Sequence, residues 1–142
     1  MNMNTYYTMT PAYTMTSAED AARALKRGVV VEHLDHAPEQ ANKRYLHAFD
    51  AAVKDQDLML ESYAIRHLGG QAIADGDMAG LDLLRRSYRL CADLGARSQI
   101  ASAAVMLAAC LPPGAEAEQM KETAAHTARE LGLTWLIKAL RK

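Results

Sequence analysis

Large aromatic side chains are scarce in this sequence, which has one tryptophan, one phenylalanine and six tyrosines. A core with so few rings must be filled by Ala and Leu, the apolar residues with the strongest helix propensity. β-Branched residues cluster only at Val29-Val30-Val31, and no stretch after residue 16 has the alternation of a half-buried strand. Two cysteines, Cys91 and Cys110, are too few for a disulfide framework and lack a short metal-ligand spacing. They fit small core positions in a reducing cytoplasm. The formal net charge of −1 provides no strong field for nucleic acid or an anionic membrane. No apolar run is long enough to span a bilayer, and no basic stretch followed by an apolar one marks a secretory leader. The expected location is the cytoplasm.

The composition is that of an ordinary soluble domain. Of 142 residues, 50% are hydrophobic and 23% charged, enough to bury a stable core without metal or disulfide. Residues 1–16, MNMNTYYTMTPAYTMT, carry no charge, and their Thr, Asn and Pro disfavour helix. They are expected to form a flexible N-terminal arm, or else an extended arm that packs on its own groove or on a partner. Residues 17–142 form the helical domain.

Seven helices are expected. Thr16-Ser17-Ala18-Glu19 is a capping box opening a helix over 18–34 with Ala22, Leu25 and Val29 on one face. Pro38 suits the first position of a second helix, whose inner stripe is Tyr45, Phe49 and Ala52 and which stops at Asp55-Gln56-Asp57. The third, over 58–75, has Leu58, Ile65, Leu68 and Ala72 in phase and breaks at Gly76-Asp77. Leu81, Leu84, Tyr88 and Cys91 define the fourth, which ends at Leu94-Gly95. The fifth spans 97–111, before Pro112-Pro113-Gly114. The sixth turns Ala117, Met120, Ala124 and Leu131 inward and ends at Gly132. The seventh, over 134–141, buries Leu136 and Leu140 with Trp135 and Ile137 beside them. Connections of two to five residues return each helix antiparallel to the last.

The chain also repeats itself. Cys91-Ala92-Asp93-Leu94-Gly95 is echoed by Ala128-Arg129-Glu130-Leu131-Gly132, 37 positions on, and Gly76-Asp77 by Pro113-Gly114 at the same offset. A helix pair that cannot bury its apolar face alone gains by stacking on its neighbour. On Leu68-Gly69, Gly76-Asp77, LDLLRRSYRLCADLGAR from Leu81 and TARELGLTWLIKALRK at the end, the chain resembles the tetratricopeptide-repeat (TPR) superfamily. The likeness is to the long, degenerate repeats of bacterial transcriptional regulators and signalling ATPases. It covers residues 57–142 well and 18–56 by pattern only. The period of 37 exceeds the usual length of about 34, and the small residues Gly80 and Ser87 sit one position off the usual frame. The resemblance implies an all-α fold of antiparallel helix pairs stacked as a short right-handed TPR-like α-solenoid. It also implies a concave face made by the first helix of each pair, with Tyr63, Arg66 and Gly70 on that face and, at the repeat offset, Ile100, Ala103 and Leu107.

No catalytic constellation stands out. His33 and His36, with Glu32, Asp35 and Glu39, could share a metal, but a solvated helix end explains them as well, and no metal or cofactor is expected. His47 and Asp50 have the spacing of a dyad without a nucleophile and read as a surface pair. Arg66-His67 and Arg85-Arg86 are basic spots interrupted by acids, too weak for nucleic acid. Gly69-Gly70, inside a helical pattern, reads as close helix packing. From Ile100 to Leu111 only Ser102 is clearly polar, so the fifth helix is either a central one covered on all sides or the floor of an apolar groove.

The first expectation is therefore a non-enzymatic protein–protein interaction module, an adaptor, regulator or chaperone-like protein. It would dock a peptide or helix, with Arg66 selecting an acid. The alternative is a small-molecule binder or enzyme using a pocket between helices, where His33, His36, His47 and His67 are the acid–base candidates. A third expectation is a homodimer through the fifth helix or the arm.

Overall fold

The computed structural model describes residues 27, 28, 32 and 36–141. The arm, the capping box at Thr16-Ser17-Ala18-Glu19, the helix expected over 18–34 apart from three positions, and His33 and Asp35 lie outside the described residues. Six helices follow: α1 (Pro38–Lys54), α2 (Leu58–Ala74), α3 (Gly80–Leu94), α4 (Arg97–Cys110), α5 (Ala115–Leu131) and α6 (Thr134–Leu140). There is no strand among the described residues, so the fold is all-helical there, and each helix packs on the next.

The helix ends follow from local chemistry. Pro38 occupies the first turn of α1, where its missing N–H costs nothing. The Asp57 carboxylate accepts from the Leu60 N–H at 3.1 Å and caps α2. The repeat is geometric as well as textual at its Leu-Gly closures. Gly95 (φ 67) and Gly132 (φ 67) both take the left-handed conformation. The residue after each donates back to the helix, Ala96 N to Cys91 O at 3.1 Å and Leu133 N to Ala128 O at 2.9 Å, the pattern of a Schellman closure. The breaks match less well. Gly76 has φ 85, whereas the position 37 residues on is Pro113, whose ring fixes φ negative.

Small residues set the closest helix contact. A Cβ on Gly69 would lie 2.9 Å from Gly80 O, and a Cβ on Gly80 2.5 Å from Gly69 O. Seven residues along, in the antiparallel register, Ser62 Oγ donates to Ser87 O at 3.1 Å and Ser87 Oγ to Ser62 O at 2.9 Å. Ser62 Oγ also lies 2.9 Å from Cys91 Sγ. Both serines and Cys91 are fully buried. These short side chains satisfy one another across the interface, so the polar groups add no unmet hydrogen bond to the core.

The central helix is α4, which touches α2, α3, α5 and α6. This is the covered arrangement that an all-round apolar helix requires. Its Leu107 joins Leu81 and Leu84 of α3 and Ala117, Met120 and Ala124 of α5 in the main core cluster. Three expected inner residues are instead exposed: Leu58 (45%), Leu131 (40%) and Trp135 (59%). Each lies at or next to a helix terminus.

Tyr45 anchors the other end of the described fold. It is fully buried and stacks on the His67 ring at 4.8 Å. Its O–H donates to Glu32 Oε1 at 2.9 Å. Gln71 Nε2 donates to Glu32 Oε2 at 2.6 Å and to Pro38 O at 3.0 Å, and Asn42 Nδ2 donates to Gln71 Oε1 at 2.9 Å. Burial first, then the hydrogen bond to Glu32 and its charge, push the Tyr45 phenol far above its ordinary value. A phenol ionises near pH 10 (about 10) when unfolded. Because the folded value is the higher one, the Tyr45 contribution is complete below that pH and is lost as pH rises above it. Wild type is expected to lose up to about 1.4 kcal/mol of stability per pH unit there beyond the loss seen in Tyr45→Phe. Parallel pH–stability curves for the two proteins in urea would refute this.

Candidate functional site

The candidate site lies where α2 approaches α4. Tyr63, Arg66 and Gly70 share one side of α2 at helical spacing, and Gln99, Ile100 and Met106 come from α4. The guanidinium of Arg66 sits over the Tyr63 ring, 5.4 Å from its centroid, in cation–π geometry. Arg66 Nη2 donates to Gln99 Oε1 at 3.1 Å, joining the two helices. Arg66 Nη1 is buried and has no hydrogen-bond partner, and no carboxylate pairs with Arg66 among the described residues. Burial pulls the guanidinium below its ordinary value, against smaller opposing effects of Cys91 and Tyr63. It nevertheless stays charged at any physiological pH.

A buried donor on a charged group that lacks an acceptor costs roughly 1–3 kcal/mol or more. Arginine is normally buried only when paired. Arg66 has instead a neutral amide, a ring and one unpartnered nitrogen.

Gly70 and Met106 close the site on one side. A Cβ on Gly70 would collide with the Met106 methyl, so glycine there lets the flexible thioether fill the gap between the helices. Ile100 is half-buried. Ala103 and Leu107 are each 2% exposed, so both are core residues, whereas Tyr63, Arg66, Gly70, Gln99, Ile100 and Met106 are all half-buried. Gln99 was not singled out by sequence. Its only signal is that it is a polar side chain at the start of an otherwise apolar helix.

The other candidates fall elsewhere. His36 and Glu39 are exposed, and no group of three metal-ligating side chains occurs among the described residues. His47 is buried (6%) while Asp50 is exposed, so His47 is not the surface residue expected. His47 falls on the inner side of α1, between the core residues Tyr45 and Ala48. The basic spot on α3 is matched by acids. Arg85 bonds Glu116 through Nε at 3.1 Å and Nη2 at 2.8 Å, and Asp82 at 3.0 Å, while Arg86 meets the buried Glu61 at 3.3 Å. The hydrogen bonds from Arg85 hold the Glu116 carboxyl below the usual carboxylate range. Both cysteines are free thiols, Cys91 buried and Cys110 half-buried. An open depression at the α1–α2 turn is lined by Asp55, Gln56, Asp57, Leu58, Met59 and Leu94, none of them a histidine. No described helix is long and apolar enough to cross a membrane.

No known family matches the chain, and no curated protein or solved structure matches it either.

Proposed function

We propose that the chain is a non-enzymatic interaction module, a short right-handed TPR-like α-solenoid that docks a peptide or helix on α2 and α4, with Arg66 selecting an acidic group. Bacterial regulatory adaptors are the context that the sequence resemblance suggests. Helix spacing supports the architecture. The backbone of α2 comes close to α4, and that of α4 close to α6, whereas α1 and α3, and α3 and α5, make no such approach. In a curved stack the crowded row is the inner one, which favours α2, α4 and α6 for the concave side.

The reading is carried by Arg66 Nη1, a buried donor without an acceptor. A partner carboxylate would supply two oxygens to the guanidinium fork, the geometry in which arginine binds most strongly. Tyr63 and Ile100 would add apolar contact around the charge. Immobilised wild-type protein is expected to retain specific partners from the extract of its native cells. Arg66→Glu, with matched circular dichroism, is expected to retain them at least about tenfold less well, as for a truncated buried charge pair. Equal recovery by the two proteins would count against the assignment.

A further inference from the structure

The antiparallel order brings the C-terminal ends of α1, α3 and α5 and the N-terminal ends of α2, α4 and α6 to one end of the stack. Large apolar side chains are exposed mainly there. Val53, Leu58, Leu94, Leu131 and Trp135 are 40–59% exposed at this end, and among the described residues only Met78 is exposed at the other. Isolated exposed apolar residues are ordinary, but a row of them confined to one end marks an interaction surface.

Charge divides this row into two unlike halves. On the α1–α3 side, Asp55 and Asp93 are exposed and Asp57 is half-buried, with Lys54 on α1 and Arg89 on α3 the nearby bases. Leu58 and Leu94 line the depression that Asp55 and Asp57 edge. On the α5–α6 side, Arg129 and Lys138 are exposed around Trp135. Asp55, Asp93, Arg129 and Lys138 have no ionic partner among the described residues. Between the halves, Arg97 and Glu130 neutralise each other.

We propose that this end is a homodimer interface, occupied by a second copy of the chain. A surface that is acidic and concave at one half, basic and tryptophan-bearing at the other, is complementary to itself when turned about a two-fold axis. Trp135 of each copy then enters the Asp55–Leu58–Leu94 depression of the other, with Arg129 and Lys138 facing Asp55 and Asp93. Leu94 and Leu131 lie toward the axis. The proposal uses none of the residues of the Arg66 site and does not depend on the peptide-docking reading.

Sedimentation equilibrium of the full chain across the micromolar range tests the proposal. Trp135 is the only tryptophan, so its fluorescence reports the contact directly. The mass is expected to double with concentration, with a blue shift of the emission over the same range. Trp135→Ala is expected to be monomeric throughout. Asp55→Lys and Lys138→Asp are each expected to weaken association about tenfold, and the double variant to recover most of the loss. The proposal is overturned by a monomer at every concentration, which would leave this end to a different partner. It is equally overturned by a dimer that persists unchanged in Trp135→Ala, or by a double variant no tighter than the single ones.

Discussion

Gly80→Val is expected to destabilise the protein by about 3 kcal/mol, the upper part of the range for overpacking, lowering the melting temperature by about 10 °C. The reason lies in what a side chain would meet. A Cβ at Gly80 falls 2.5 Å from Gly69 O, 2.9 Å from Ile73 Cγ1 and 3.0 Å from Ala72 Cβ. The first of these is a backbone atom in the interior of α2, which moves only if the two helices separate. Separation would also stretch the Ser62–Ser87 hydrogen bonds of 2.9–3.1 Å farther along the same interface. Cavity and hydrogen-bond losses therefore add to the clash. Gly114→Ala is the control. Gly114 has nothing within 4 Å of an added Cβ and an extended backbone, so the change is expected within about 0.5 kcal/mol of wild type. If the two variants melted together, the close approach of α2 and α3 would be wrong.

Much of this contact was legible in the sequence. Gly69-Gly70 inside a helical pattern, and Gly80 and Ser87 as the small residues of the next helix, pointed to tight packing before any coordinates. Helix boundaries were legible because their signals are local: Pro38, Asp57, Gly95, Gly132 and the Pro112-Pro113-Gly114 stop each act through their own backbone. Burial at helix termini was not legible. Periodicity assigns a face but not where a neighbouring helix ends, so Leu58, Leu131 and Trp135 were placed inward and are exposed. The status of Ile100, Ala103 and Leu107 was equally beyond periodicity. They share one helical stripe, yet Ala103 and Leu107 are covered and Ile100 is half-covered, because α4 has neighbours on several sides.

The candidate site was half legible. Arg66, Tyr63 and Gly70 followed from the repeat frame, and the structure brings them to the α2–α4 contact. That Arg66 Nη1 would be buried without a partner was not accessible, because it depends on which acids fail to be nearby. Acids flank it in sequence at Glu61 and Asp75, but Glu61 is held by Arg86 and Asp75 lies beyond the end of α2.

The same residue yields the second large effect, of opposite sign. An incompletely satisfied buried charge is generally less favourable than an apolar side chain of similar length, and such replacements stabilise by about 1–4 kcal/mol. Methionine keeps the stem of Arg66 and loses the head. The losses are one hydrogen bond to Gln99 and the contact over Tyr63, the latter worth roughly 0.5–1 kcal/mol. The gain is relief from desolvating a cation with an empty donor position. Desolvation is expected to win, leaving Arg66→Met more stable by about 1–2 kcal/mol. A residue that costs the fold stability is a candidate for a role outside the fold.

Urea unfolding of wild type and Arg66→Met at neutral pH, read by circular dichroism, tests that claim most directly. A higher midpoint for Arg66→Met at unchanged slope is the predicted result. A midpoint lowered by Arg66→Met would mean that the guanidinium is a structural tie between α2 and α4, and the case for a waiting ligand would fall with it.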